Sequence, residues 1–234
     1  MNTSPPVPEE LLLDYASGSC SPAMGLLMAT HVSMSEKSRK LCGVLDDVGG
    51  AFLDTLHGET MERVTAQSVL ELADSGGQSD GRTNSAARPT TSVEGNSSPI
   101  MAANFGDEAP PLPLQAYASE FGTDDAWQRL GWSAAAVRLS ASNHEERAHL
   151  LWAKPGAYIA THRHIGREVV LVLKGAFWDE GVRFGPGDIA IGEDGSIHTP
   201  KIDGEAECVC LAVTEAPVHF TGSLGWLLNR YCRF

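Results

Sequence analysis

Residues 156–175 read GAYIATHRHIGREVVLVLKG, and this stretch decides the fold of the C-terminal half of the chain. Its pattern is G-x5-H-x-H-x3-E-x6-G. Because side chains alternate between the two faces of a strand, His162 and His164 project from the same face. A bend at the Ile-Gly pair that follows lets Glu168 return to that face. Two imidazoles and a carboxylate suit Zn, Fe, Mn or Ni, so the stretch predicts a metal site.

A second segment supplies a fourth candidate ligand. Residues 184–188 read FGPGD, a Pro-Gly turn, and His198 follows. The two segments resemble the first and second cupin motifs, although the spacing in the second is looser. The resemblance implies one divalent metal ion, zinc before iron, manganese or nickel, held by His162, His164, Glu168 and His198. Three histidines of this half match no motif and are predicted to be ordinary surface or packing residues: His144, His149 and His219.

The rest of the C-terminal half has the pattern of an all-β domain. Its short apolar runs are separated by turns rich in Gly, Pro and Asp, which predicts many short strands in a sandwich or barrel. The predicted strands lie at 148–152, 169–173, 188–191 and 208–213. Cys208 and Cys210 are two apart in the last run, so they share one face, where buried packing is favoured over redox sensing.

The N-terminal segment has helical periodicity instead. Two glutamates at the start and Gly18 at the end bound a first helix. Ser21 followed by proline is a cap and first-turn pair that opens a second helix. A third helix begins near Ser35, with an apolar stripe through residues 41, 44, 45, 48 and 52. A fourth, weaker helix is predicted over 61–73.

Composition divides the chain between these two patterns. Residues 76–111 are rich in Gly, Ser, Thr, Asn and Pro and have few large apolar side chains, as expected of a flexible linker. The predicted organisation is a helical domain at 1–75, the linker at 76–111 and a β-domain at 112–234. The predicted fold class is therefore α+β, a small helical bundle plus an all-β cupin double-stranded β-helix.

Charge and cysteine content exclude several classes of protein. A formal net charge of −13 disfavours direct binding to nucleic acid and favours a basic protein partner. The five cysteines form no CxxC pair, which argues against a disulfide framework. No apolar run is long enough to span a membrane and no signal peptide is visible, so we expect a soluble cytoplasmic protein without a membrane partner.

Taken together, the two halves resemble the ChrR-type anti-sigma factors, in which a zinc-binding helical domain is fused to a cupin. The segments that carry the resemblance are LLDYASG (12–18), ATH (29–31), DDVGG (46–50), LVLKGAF (171–177), FGPGD (184–188) and HTP (198–200). The resemblance implies that the helical domain sequesters an extracytoplasmic-function sigma factor. It also implies release on an oxidative signal such as singlet oxygen or an organic hydroperoxide, with the cupin needed for release.

The chain departs from this family at the N-terminal zinc motif. Where the family has H-x3-C-x2-C, this chain has His31 followed by Ser35 and Ser38. Because neutral hydroxyls are poor zinc ligands at pH 7, the N-terminal zinc is predicted to be absent. We expect Ser35 to act as a helix cap and Ser38 to face solvent.

The leading hypothesis is an anti-sigma factor, not an enzyme, whose helices present apolar side chains to the sigma factor. Leu11, Leu12, Met24 and Met28 are the predicted contact residues, unless they form the core of the helical bundle. The alternative is a cupin metalloenzyme, a small-molecule dioxygenase or isomerase, since open positions on such a metal can bind substrate or oxygen.

Overall fold

The computed structural model describes residues 4–58, 67, 105, 109–143, 145–221 and 229. The described residues up to Gly49 and from Phe105 onward form one compact unit, and those from Gly50 to Gln67 belong to a second. The predicted fourth helix over 61–73, His144 and most of the predicted linker lie outside the described residues. The division at residues 75 and 111 therefore stays a prediction. Among the described residues, none lies in a helix with the length and apolar character needed to cross a bilayer.

Three of the predicted helices are confirmed. They are α1 (Glu9–Ala16), α2 (Pro22–Met34) and α3 (Glu36–Thr55). Gly18 follows α1 with a φ of 72°, the left-handed conformation that commonly ends a helix. The Ser21 side chain caps α2 by accepting a hydrogen bond from the backbone N–H of Met24 at 3.1 Å.

The predicted contact residues of the helices are mostly buried within the chain itself. Leu11 and Leu12 are 3 % exposed and Met28 is fully buried, while Met24 is partly buried against the same core. That core also contains residues of the β-domain, among them Leu150 and Leu211. The hypothesis that these four side chains are free for a partner is therefore wrong for Leu11, Leu12 and Met28.

The C-terminal half is built of short strands, as predicted. Two short helices, α4 (Leu112–Gln115) and α5 (Ala118–Phe121), and a 3-10 turn (Asp124–Ala126) precede them. The strands are β1 (Gln128–Arg129), β2 (Ala134–Arg138), β3 (Arg147–Ala153), β4 (His162–Arg163), β5 (Glu168–Lys174), β6 (Phe177–Asp179), β7 (Val182–Phe184), β8 (Ile189–Gly192), β9 (Ile197–His198), β10 (Lys201–Ile202), β11 (Cys208–Thr214) and β12 (His219–Phe220).

The strands form three antiparallel sheets. The largest has the order β1-β2-β3-β11-β5-β8, and the smaller ones have the orders β10-β6-β7 and β12-β4-β9. The large sheet has two different faces. On β11, Val209, Leu211 and Val213 pack into the core shared with the helices, whereas Cys208 and Cys210 belong to a separate core between the sheets. The architecture is the predicted one, helices plus a cupin-like β-domain.

Candidate metal centre

Three short elements bring the four predicted ligands together. His162 lies in β4 and His164 directly follows it, Glu168 begins β5, and His198 ends β9. Since β4 and β9 are paired in register, His162 and His198 lie directly opposite each other. One candidate ligand atom from each of the four residues lies within 4.8 Å of the other three. These four side chains thus converge on a site that could hold a metal ion.

The hydrogen bonds of the rings fix which nitrogens face the centre. Nδ1 of His162 lies 2.9 Å from the carbonyl oxygen of Ala160, and Nδ1 of His198 lies 2.7 Å from the Asp179 carboxylate. Because these oxygens accept, both Nδ1 atoms carry a proton, and in the neutral form of each ring Nε2 carries the lone pair. Nε2 of His198 lies 2.9 Å from Nε2 of His162 and 2.8 Å from Nε2 of His164. The facing Nε2 lone pairs of neutral His162 and His198 repel each other unless a cation lies between them, so the donor set fits a metal ion.

The absence of a side chain at Gly192 makes room for the third ring. A Cβ atom added at Gly192 would lie 2.7 Å from Nε2 of His164 and 2.9 Å from Cδ2. Gly192 is opposite Glu168 in the pairing of β8 with β5. Any larger residue there would displace the ring that completes the centre.

The environment keeps two of the histidines in the form that binds metals. Burial lowers the pKa of His162. Burial, together with the charges of His162 and His198, lowers the pKa of His164 to about 4. Both rings are therefore neutral at pH 7, and the metal need not displace a proton from them.

Glu168 and His198 are the two groups of the centre whose pKa is raised. Burial raises the pKa of Glu168 to about 7, which shows how poorly this pocket solvates an isolated carboxylate. Although burial opposes it, the hydrogen bond and charge of Asp179 raise the pKa of His198. A divalent cation would compensate the Glu168 charge and favour the metal-binding form of both groups.

Asp179 is a candidate site residue that the sequence did not indicate. It ends β6 and holds the His198 ring through the 2.7 Å bond to Nδ1. Carboxylates in this position orient a metal-binding imidazole and increase its basicity. Asp179 precedes Glu180 and Gly181, so in the sequence it has the appearance of an ordinary turn residue.

The structure also describes the two cysteines and two of the three histidines that match no motif. Cys208 and Cys210 do share a face, and their sulfur atoms are 3.6 Å apart. The hydrogen bond between Cys210 and Cys208, together with burial, raises the pKa of Cys210 well above its ordinary value, which disfavours the reactive thiolate. His149 is buried, as a packing residue would be, and His219 is exposed.

Comparisons with known proteins cover both halves of the chain. Residues 123–218 match a family described as the ChrR cupin-like domain. The anti-sigma-E factor ChrR of Cereibacter sphaeroides is 34 % identical over 227 residues, which are 97 % of each chain. The chain belongs to the ChrR family of anti-sigma factors. A crystal structure of Rhodobacter sphaeroides SigE in complex with the anti-sigma ChrR matches with a TM-score of 0.64 and 31 % identity, covering 89 % of this chain and 97 % of that one.

Membership of the ChrR family decides between the two classes of function considered from the sequence. The relative that matches along nearly its whole length is named as a regulator and not as an enzyme. The metalloenzyme alternative depended on the cupin half alone, whereas this match includes the helices.

At the position of the ChrR zinc motif, His31, Ser35 and Ser38 form a hydrogen-bonded network. His31 is buried, and its Nδ1 donates to the carbonyl oxygen of Gly187 at 2.9 Å. Its Nε2 lies 2.7 Å from Oγ of Ser38, which also accepts a 3.0 Å bond from Ser35. Both histidine nitrogens are thus engaged without a metal, although the absence of an N-terminal zinc stays a prediction.

The predictions for Ser35 and Ser38 have different outcomes. Ser35 is the predicted cap, since its Oγ accepts a 3.3 Å hydrogen bond from the backbone N–H of Ser38. The prediction that Ser38 faces solvent is wrong, because Ser38 is 6 % exposed. It is held inward by His31, which needs a donor for its second nitrogen.

This network predicts a pH-dependent contribution to stability. Burial lowers the pKa of His31 from 6.5, against the smaller effects of the Gly187 carbonyl and the Asp188 charge. The unfolded chain therefore binds a proton more readily, so the contribution is complete above pH 6.5 and is lost as the pH falls through the lowered value. We expect His31→Gln to cost about 1–3 kcal/mol at pH 7. Its free energy of unfolding should fall less steeply than that of the wild type between pH 7 and pH 5, as measured by urea denaturation.

The difference between the two proteins isolates His31, because the other histidines are common to both. Equal slopes in the two pH series would show that His31 is not the titrating group.

Proposed function

We propose that this chain is an anti-sigma factor that sequesters an extracytoplasmic-function sigma factor through its N-terminal helices. The observation that carries the proposal is the 34 % identity to an anti-sigma factor over 97 % of both chains. The match to a ChrR structure solved in complex with SigE adds a precedent for the partner. The proposal requires the chain to act in the cytoplasm, where sigma factors meet RNA polymerase.

The helix α3 offers the surface best suited to this partner. Since α1 and α2 are largely covered within the chain, the exposed apolar side chains of the helices lie mainly on α3. Val44 is 57 % exposed and Val48 is 49 % exposed, one helical turn apart. We call these two residues the α3 valine pair. Exposed apolar side chains that share a helix face are a common feature of partner-binding helices.

Charge on the same helix complements a basic partner. Asp46 and Asp47 are exposed next to the α3 valine pair. They add to a net charge of −13 for the whole chain. Opposite charges increase the rate of encounter and suppress unsuitable partners. The nucleic-acid-binding surfaces of a sigma factor are basic, so an acidic rim around an apolar contact fits the proposed role.

The test is co-elution of the purified chain with a cognate sigma factor in gel filtration. We expect a stable complex, and we expect the double change Val44→Asp, Val48→Asp to weaken it by about 100-fold or more, as removal of central apolar contacts does. Trp132→Asp is a matched control, because Trp132 is a large apolar residue of the β-domain that is 94 % exposed.

The two failures of this experiment have different meanings. If the wild-type chain does not retain any sigma factor encoded beside it, the proposed function is wrong. If the wild type binds and the valine variant binds equally well, only the assignment of the surface to α3 is wrong.

For the β-domain, we propose that the centre holds one divalent ion, zinc in preference to iron, manganese or nickel, and that an oxidative signal acts there to release the partner. A short segment connects the centre with the helices. His31 contacts Gly187 in the turn before β8, and Gly192 at the end of β8 supports His164. A change that moves His164 would therefore be transmitted to the helices.

This part of the proposal has its own test. Treating the complex with an organic hydroperoxide should free the sigma factor, and His198→Ala should prevent that release. Equal release from the wild type and from His198→Ala would show that the metal centre has no part in the response to the oxidant.

A further inference from the structure

The outer face of the sheet β10-β6-β7 carries a row of exposed aromatic and basic side chains. Trp178 of β6 lies opposite Lys201 of β10 and, on its other side, opposite Arg183 of β7. Tyr158 forms a bridge with Lys201 and extends the row by one position. Tyr158 is 62 % exposed and Trp178 is 40 % exposed. We call Tyr158, Lys201, Trp178 and Arg183 the small-sheet row.

The small-sheet row faces away from the helices. The residues next to the row along the three strands belong to the core between the sheets, and they are Phe177, Phe184 and Ile202. Because side chains alternate along a strand, the row points outward from that core. The helices share a different core, on the far face of the large sheet. The large sheet therefore separates the small-sheet row from helix α3 of the same chain.

Lys201 gives the small-sheet row a positive charge. Its Nζ lies 5.2 Å from the centre of the Tyr158 ring. Within the part of the chain that the structure describes, no carboxylate forms an ion pair with Lys201. Arg183, by contrast, donates to the Asp203 carboxylate at 2.8 Å. The row thus presents one cation between two exposed aromatic rings, which suits a partner with an anion among apolar groups.

Helix α3 presents the complementary pattern. The α3 valine pair is exposed, and the exposed Asp47 lies three residues after Val44 and directly before Val48, on the same side of the helix. Lys40, one turn earlier, is paired with Glu36 at 2.7 Å, so its charge is compensated within the helix. Four strand positions about 4.8 Å apart make a row roughly 14 Å long, which accommodates a helix about 10–12 Å wide.

We propose that this chain associates with a second copy of itself, in which the small-sheet row of one copy binds the α3 valine pair and Asp47 of the next. Since the large sheet separates these two surfaces within a chain, they meet only between copies. Two different surfaces are in contact, so the association is head-to-tail. The contact is small and partly electrostatic, and we therefore expect it to be weak and to weaken further with salt.

Self-association would cover the face of α3 that we assign to the sigma factor. A second copy and the sigma factor would then compete for α3, so the sigma factor should dissociate the copies when it binds. This competition rests on the proposed function, whereas the association between copies does not. Sigma factor that binds without dissociating the copies would exclude the competition.

Light scattering of the full-length chain, without any sigma factor, tests the association. We expect the average mass of the wild type to rise as its concentration is increased to about 1 mM, the range in which weak contacts are populated. The double change Trp178→Ala, Lys201→Glu, called the row variant, should weaken the association by about 10-fold or more. Trp132→Ala, Arg129→Glu is the matched control. It makes the same kinds of change at two exposed residues outside the row.

Mixing two variants is the sharper test. The row variant lacks one of the two surfaces, and the variant Val44→Asp, Val48→Asp lacks the other, so each should stay monomeric by itself. Mixed in equal amounts they should form a 1:1 dimer, because the α3 helix of the first meets the small-sheet row of the second. This dimer should not grow further, since its two remaining surfaces are the altered ones.

Three results would overturn the proposal. A wild type that stays monomeric at about 1 mM would mean that the row serves a different acidic partner. The second result is a row variant that associates as strongly as the matched control, and the third is a mixture that remains monomeric. Because no sigma factor is present in these measurements, the proposed function and this inference can fail separately.

Discussion

Replacing His198 with alanine is expected to abolish metal binding by the purified protein. The centre offers four ligand residues, and His198 is the ring whose Nε2 lies within 2.9 Å of Nε2 in His162. Without it, two imidazoles and a carboxylate remain around an enlarged space. We expect the metal content, measured by mass spectrometry after dialysis, to fall from one ion per chain to near zero. If the metal is supplied at 1,000 times its dissociation constant, the accompanying loss of stability is about 4 kcal/mol.

Two further variants turn this result into a graded series. Asp179→Asn keeps the shape of the side chain but removes the charge that orients His198, so we expect the affinity for the metal to fall by about 10–100-fold. His219→Ala should have no effect on metal content. His219 is exposed on β12 and lies opposite Arg163 of β4, so it is a histidine of an adjacent strand outside the site.

Unchanged metal content in His198→Ala would contradict the proposed centre. Two ions per wild-type chain would contradict a different prediction, the absence of zinc at His31, Ser35 and Ser38. Because the two results are independent, a single metal analysis distinguishes between them.

The clustering of the candidate ligands could be predicted from the sequence because most of its geometry is local. His162, His164 and Glu168 lie within one short stretch, and the alternation of a strand determines which of them share a face. His198 required a second motif, since the β4–β9 pairing that brings it opposite His162 connects distant parts of the chain. The family resemblance supplied that long-range information.

The residues around the ligands could not be predicted in this way. Asp179 and Gly192 lie on two different strands, and each reaches the centre only through sheet register. In the sequence they are a turn aspartate and a turn glycine. Neither of these residue types is unusual where it stands, so no local signal distinguishes them.

The burial of α1 and α2 against the β-domain differs from the predicted exposure of their apolar side chains for another reason. The sequence of α2 is PAMGLLMATHVSM, which is apolar on nearly every side. A helix of this kind is typically buried all round and does not present one face to a partner. In the structure α2 contacts α1, α4 and two strands of the large sheet. The composition of α2 therefore indicates that Met28 is buried, which is incompatible with a free binding surface at that residue.

Replacing Gly175 with alanine is expected to be among the most destabilising single changes in the β-domain. Gly175 ends the motif that begins at Gly156, and its φ is 71°, a conformation costly for residues with a side chain. An added Cβ would lie 1.9 Å from the carbonyl oxygen of Glu207. Glu207 immediately precedes β11, which is held between β3 and β5, so its backbone has little freedom to withdraw.

We expect a loss of about 4 kcal/mol or more in the free energy of unfolding, at the upper end for single substitutions. The measurement is urea denaturation with the metal in excess. Gly204→Ala is the control, because Gly204 has no neighbouring atom within 4 Å of the added Cβ and should change stability by less than about 0.5 kcal/mol. If Gly175→Ala is as stable as Gly204→Ala, the backbone at residue 175 must lie farther from the carbonyl oxygen of Glu207 than the structure shows. The last glycine of the motif would then have a role other than permitting that approach.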